Sequence, residues 1–319
     1  MEAQNTIVEH DRSAIFTQLW YLAQKSDSGF TYYKGLTDTE RQALSDLLTG
    51  VLDIERRQLI GEQLKPVDES PVKVVPVPET VSVSTSSLHD PSQYSFGKKE
   101  LWIPWAERFP SGPKRGEYPN KYPSGLIVHW TAGHQNGLKA GMDFMRTSGM
   151  LYLMIDKAGG LGQSDPLNYH GYHAGNSTHP SVKGYVSDDF AGVELQAAGN
   201  LRVNAGHYYP WWDNGKNDPK NRIPHEEVIT VSGRDNIAAG HYHLYSILQM
   251  NALRRLVAWL YLNNPDVFSV DRVLGHDEVS PKRKTDPGGA LNLNGDSLSM
   301  KEFRAVCSAD IAKIKSAKG

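Results

Sequence analysis

The sequence predicts an α/β domain, a sheet covered by helices, preceded by a small helical module and a linker. Three observations carry this reading. Strand and helix signals alternate from residue 97 to the end of the chain. The region ahead of them has helical periodicity alone, and prolines crowd the stretch between the two. At 319 residues the chain has room for one large domain or two smaller ones.

In the first region, Ile15, Leu19 and Leu22 recur at helical spacing, with Phe16 and Trp20 beside them. A second helix starts at Thr37-Asp-Thr-Glu40, a capping-box pattern, and Leu44, Leu47, Leu48, Val51 and Leu52 supply its apolar face. Residues 1–64 therefore read as a helical module whose core is marginal by itself. Residues 65–96 mix Pro66, Pro71, Pro76, Pro78 and Pro91 with Val, Ser and Thr. An edge strand over 72–77 fits the valines, but the prolines favour a semi-rigid, extended linker.

Residues 97–319 carry the alternation. Strands are predicted over 126–130, 151–156, 191–197 and 270–274, and the second of them turns at Lys157-Ala-Gly-Gly160. Helices are predicted over 138–146 and 242–262; the longer one has Leu244, Leu248, Leu253, Leu256 and Leu260 on or near its buried face.

Composition excludes several classes. A hydrophobic share of 39% predicts an ordinary soluble chain, and a net charge of −2 gives no bulk basicity for nucleic-acid binding. The single Cys307 rules out an intrachain disulfide framework and reads as a filler on a C-terminal helix. The first twelve residues are polar and mixed in charge, without a basic segment leading into an apolar one. No apolar run is long enough to span a bilayer. The expectation is synthesis in a cytoplasm, with no membrane insertion and a separate release route if the chain acts outside.

The chemistry concentrates in Gly275-His-Asp-Glu-Val-Ser-Pro-Lys-Arg-Lys-Thr-Asp-Pro-Gly288. This loop carries an imidazole, His276, and a carboxylate, Asp286, separated by Lys282, Arg283 and Lys284. A third donor, His129, sits in the best strand of the sequence. A catalytic zinc ion takes three protein ligands and keeps a fourth position open, and these residues supply that number and those types. Singly, a histidine in a strand is more often a hydrogen-bonded structural residue, and an aspartate before Pro-Gly a turn residue. Their combination reverses those odds. Glu194, in Gly192-Val-Glu-Leu-Gln196, is either a buried carboxylate with a raised pKa or a solvent-facing strand residue. Beside a metal site it becomes a general-base candidate. The basic run 282–284 suggests an anion patch in isolation, and a site wall between two ligand candidates.

Four segments occur in an order that resembles the zinc-dependent N-acetylmuramoyl-L-alanine amidases of the amidase type 2 family. They are Ile-Val-His129-Trp-Thr-Ala, Tyr172-His-Ala-Gly175, Gly192-Val-Glu194-Leu-Gln and the loop 275–288. That family includes AmpD-like recycling enzymes and phage endolysins, and shares its fold with peptidoglycan recognition proteins. The resemblance spans roughly residues 100–310; its last motif is highly specific, whereas Tyr-His-Ala-Gly alone is weak. It implies a mixed central β-sheet flanked by helices. It also implies zinc held by His129, His276 and Asp286, acid/base work by Glu194, and oxyanion stabilisation by Lys284. His173 falls in the His-Ala-Gly segment near the cleft, as a substrate contact or as an organiser of the cleft wall. The implied reaction is hydrolysis of the amide between N-acetylmuramic acid and L-alanine, with peptidoglycan as the partner.

The segment between Gly199 and Tyr242 is longer than a minimal enzyme of this type requires. Tyr208, Tyr209, Trp211 and Trp212 within it either stack on sugar rings or anchor a large loop, and the second reading is preferred. His241-Tyr-His243 resembles a metal-binding pair but reads better as the entry to the long helix. The module and linker favour an endolysin over a compact recycling enzyme, since a tether raises local concentration at a polymer. A recognition protein that binds muropeptide without cutting it is the third reading. The full set of ligand, acid/base and lysine positions argues against it.

Overall fold

Gly125–Trp130, every residue of it buried, forms strand β3 near the centre of the largest sheet. The computed structural model describes residues 88–109, 116–133, 137–147, 153–182, 184–235, 237–293 and 295–319. The helical module, the edge strand weighed over 72–77 and most of the linker lie outside them. The described residues fall in one unit, Val83–Gly319.

The main sheet has six strands in the order β1 (Glu107–Arg108), β5 (Leu161–Gln163), β4 (Leu153–Ile155), β7 (Phe190–Leu195), β3 and β12 (Val273–Gly275). It is mixed: β4 and β5 pair antiparallel, while β4, β7, β3 and β12 run parallel to one another. Alternation along the strands divides two faces. Leu126, Val128, Ala191, Val193, Leu195 and Val273 point into the main core, under α2 (Ile247–Asn263) and α4 (Met300–Lys318). Ile127, Phe190 and Leu274 point the other way, against Ala174, Val186 and Val279. α1 (Leu138–Thr147) sits over Met154 and Phe109 through Met142 and Met145.

Helices α2 and α4 start at true capping boxes, Ser246 with Gln249 and Ser299 with Glu302, each satisfying two otherwise orphaned N–H groups. Leu253, Leu256 and Trp259 of α2 and Phe303, Cys307 and Ile314 of α4 are fully enclosed. Each large apolar side chain of this kind contributes roughly 1.5–3 kcal/mol of burial. Cys307 is thus the predicted core filler. Residues 88–96 pack here too: Tyr94 is buried and His89 bonds Asp310, which also holds Arg254. Among the described residues no helix is long and apolar enough to cross a membrane.

The segment beyond Gly199 folds as a four-stranded antiparallel sheet in the order β10 (Val228–Val231), β11 (Gly240–His243), β8 (Asn200–Asn204), β9 (His207–Pro210). The β8–β9 hairpin closes through Ala205 and Gly206, both at positive φ, the two-residue turn that matches strand twist. Two small pairs complete the strands: β2 (Gly116–Glu117) with β6 (Tyr169–His170), and β13 (Asn292–Leu293) with β14 (Asp296–Ser297).

Two predicted elements are corrected. Residues 242–246 do not open the long helix, and His241-Tyr-His243 is not its entry. They lie in or just beyond β11, paired to β10 and β8, and the Ser246 cap starts α2 at Ile247. Helical spacing of Leu244 and Leu248 misled because it continued across a capping residue. His243 is instead clamped by Glu227, with Lys157 alongside. Residues 270–274 likewise begin with a 3-10 turn, Val270–Arg272, before β12.

Candidate active site

The site grows out of one row across the parallel strands. His129 and Glu194 are register partners on β3 and β7, and Glu194 also faces Met154 of β4. On the other side Gly275 pairs with Val128, so the next residue, His276, falls level with His129. These positions lie toward the carboxyl ends of the strands, where open α/β sheets bind ligands. Their side chains point away from α2 and α4, toward the face that packs on Ala174, Val186 and Val279. His276 opens α3 (His276–Val279), whose Glu278 bonds the Gly275 N–H and takes two bonds from Arg304 of α4.

Asp286 reaches the row from the following loop. Its carbonyl accepts from the Asp277 N–H at 2.8 Å, which closes the loop's neck. Its Oδ2 lies 2.9 Å from Nδ1 of His129 and 2.9 Å from Nδ1 of His276. All three residues are buried, and their donor atoms lie within 4.8 Å of one another. Among the described residues this is the single grouping of three or more such donors; His241 and His243 form none.

The outward nitrogen of each ring is also held. His276 Nε2 donates to the Ala174 carbonyl at 2.9 Å. His129 Nε2 lies 3.1 Å from Nδ1 of His173, whose Nε2 donates to the Phe190 carbonyl at 2.9 Å. His173 thus has both nitrogens engaged by protein. Gly192 makes room for it, since a Cβ there would meet His173 Cγ at 2.5 Å.

Electrostatics follow from enclosure. Burial pulls His129 down to about 4 against the upward pull of Asp286, so the imidazole is neutral near pH 7. Burial would push Asp286 up; its close contacts with the two imidazoles overcome this and hold it well below the usual carboxylate range. Glu194 goes the other way. Burial and then the Asp286 charge push it well above its ordinary value, and the Lys284 charge draws it partly back. Its Oε2 is enclosed with no hydrogen-bond partner among the described residues.

A cleft of about 450 Å³ opens beside His276, with Tyr172, Tyr185, Arg283 and Lys284 among its lining. Arg283 is a brace: it bonds the Ala174 carbonyl, Ser177 Oγ and Ser280 Oγ. Sequence reasoning saw Arg283 only as part of a basic wall, and it missed the Ala174 and Phe190 carbonyls altogether. The aromatic segment is anchored locally, as preferred. Tyr209 is buried, Tyr208 packs on the rings of His225 and His241, and Trp211 is half exposed.

Two imidazoles, one ionised carboxylate, an unpartnered glutamate oxygen and a cleft-facing lysine make a donor set that could hold a metal ion beside an acid/base group and a cation. Residues 119–289 match the Amidase_2 family profile, described as N-acetylmuramoyl-L-alanine amidase, and the chain belongs to that family. Three solved structures are similar at low identity. A selenomethionine derivative of AmpD has 20% identity and a TM-score of 0.39, covering 65% of this chain and 97% of that one. The N-acetylmuramyl-L-alanine amidase AmiD from E. coli, in complex with an anhydro-muropeptide substrate, has 16% identity and a TM-score of 0.40, covering 61% and 60%. The endolysin amidase LysCS from Clostridium intestinale URNW has 15% identity and a TM-score of 0.38, covering 65% and 98%. No curated protein matches the chain.

Proposed function

We propose that this amidase is zinc-dependent and cuts the amide between the lactyl group of N-acetylmuramic acid and L-alanine in peptidoglycan. The single observation that carries the reading is the convergence of His129 Nδ1, His276 Nδ1 and Asp286 Oδ2 in one buried cluster. The donor set suits zinc: nitrogen and oxygen ligands, three in number, beside an enclosed and unpartnered Glu194 oxygen. Zinc held there supplies Lewis acidity, polarising the scissile carbonyl and acidifying water.

The remaining work belongs to the chain. Glu194 takes a proton from the attacking water and returns it to the leaving L-alanine amine. Its desolvated setting suits it to hold that proton between the two steps. Lys284, on the cleft wall, offers a positive charge to the developing oxyanion. The cleft takes the muropeptide.

We further infer an endolysin-like role in which residues 1–64, joined through the proline-rich segment ahead of residue 88, hold the catalytic unit near the wall. In that reading the chain is made in a cytoplasm and reaches the wall after release. The decisive experiment digests purified sacculi and identifies new ends by mass spectrometry. Free L-alanine amino groups without new reducing sugars are expected, with activity lost on chelation and restored by zinc. New reducing ends alone would sink the amidase reading. Comparable turnover of intact sacculi and small anhydro-muropeptides would remove the preference for an endolysin over a recycling enzyme.

A further inference from the structure

His173 has no place in the proton and charge chemistry above, yet its ring sits edge-on to His129, with centroids 5.3 Å apart at 76°. We propose that His173 is a positioning residue that fixes the tautomer of His129, so that Nδ1 is the bare nitrogen turned to the metal. The inference rests on the zinc reading of the site.

The assignment starts at a group that has no proton to give. The Phe190 carbonyl lies 2.9 Å from His173 Nε2, so Nε2 carries the hydrogen. A neutral imidazole has one such hydrogen, which leaves a lone pair on His173 Nδ1. That lone pair faces His129 Nε2 at 3.1 Å, so His129 Nε2 is the donor. The lone pair of His129 is then on Nδ1, the atom 2.9 Å from Asp286 Oδ2. The bare Nδ1 and Asp286 Oδ2 then face one another as two acceptors, a pair that a cation held between them would satisfy; the opposite arrangement turns an N–H to the metal and leaves two lone pairs face to face at one of the other two contacts.

His276 reaches the same state by a shorter route, donating from Nε2 directly to the Ala174 carbonyl. Both histidines are therefore oriented by a backbone carbonyl, one directly and one through an inserted ring. His129 needs the insert because it stands in mid-sheet, with its outward nitrogen over β7. The insert is itself anchored: the N–H groups of His173 and Ala174 both donate to Ser187 Oγ, at 3.3 and 3.1 Å.

Outer partners of this kind are worth about 10–100-fold in metal affinity. The test is zinc affinity of the full chain by chelator competition, independent of turnover. His173→Leu removes the acceptor and is expected to weaken zinc about 10–100-fold. His173→Asn restores an oxygen acceptor where Nδ1 stood and is expected to recover most of that loss; His173→Gln, whose acceptor sits farther out, is not. Histidine-selective 15N NMR of zinc-loaded wild type adds a readout that does not depend on variant folding: His173 is expected to carry its proton on Nε2 and to leave Nδ1 bare. Affinity of the Leu variant within about twofold of wild type, an Asn variant no better than Leu, or His173 protonated on Nδ1 would each overturn the proposal. Wild type that binds no zinc would instead overturn the reading on which it rests.

Discussion

His129 and Glu194 occupy one rung of the β3–β7 ladder, with side chains on the same face of the sheet. Adjacent strands fix their separation through the main-chain hydrogen bonds, so a candidate metal ligand and a candidate base are spaced by backbone geometry rather than by flexible loops. Glu194→Gln keeps the shape and removes the base. It is expected to lower kcat by roughly 10²–10⁴ while bound zinc stays unchanged. Wild-type turnover from this variant removes Glu194 from the mechanism.

Lys284 supplies the opposite need, a positive charge at the cleft wall. Lys284→Met is expected to cost about 10²–10³ in kcat with little change in KM, as for loss of a transition-state donor. A change confined to KM would assign Lys284 to ground-state binding of the substrate.

Asp286 is the residue on which both imidazoles converge, and its removal dismantles the donor set. Zinc at a hundredfold excess over its dissociation constant is expected to stabilise wild type by about 2.7 kcal/mol. Asp286→Ala is expected to show no zinc-dependent shift in thermal unfolding. An undiminished shift would place the ion elsewhere.

Gly192 tests the packing around the site. Adding a methyl there drives a Cβ to 2.5 Å from His173 Cγ, on a strand that cannot move away. Gly192→Ala is expected to destabilise by about 1–3 kcal/mol and to weaken zinc in parallel with His173→Leu. Denaturant unfolding and chelator competition on the same preparation check both.

The clamp on His243 predicts a pH dependence away from the site. Burial opposes ionisation of Glu227, but the hydrogen bond with His243 and the Lys157 charge overcome it and hold the carboxyl at about 2, against an ordinary 4.5. A depressed carboxylate contributes stability that is complete above the unfolded value and lost as pH falls through the folded one. Glu227 is one-third exposed, so a discounted roughly 1–2 kcal/mol is expected between wild type and Glu227→Gln at pH 7. The gap closes between about pH 4.5 and 2. Urea unfolding at several pH values measures it; a gap indifferent to pH would exclude the ionic contribution.

Four strands of the central sheet, β3, β4, β7 and β12, were legible from apolar runs or Gly-rich turns, as at 126–130 and 157–160; β1 and β5, two and three residues long, are too short to show a pattern. The three donors were legible because two share a Gly- and Pro-bounded loop and the third sits in a buried strand. The four-stranded sheet was not. Asn200–Asn204 is polar and half exposed, so it lacks the apolar alternation that marks a strand. Its one clear signal, the Ala205-Gly206 turn, lay unread within a long polar segment. Partners of the histidines' outer nitrogens were illegible for a deeper reason. Two are main-chain carbonyls, a group that every residue carries, so no residue type marks them.

Strand β3 is flanked by parallel neighbours and buried along its whole length, so the floor beneath the reaction has no freedom to adapt. Tyr172 and Tyr185 stand at the rim, 37% and 57% exposed, on connecting segments rather than strands. An engineer wishing to retune which cross-linked wall polymer the protein opens should therefore exchange those two aromatic rings and leave the ladder alone.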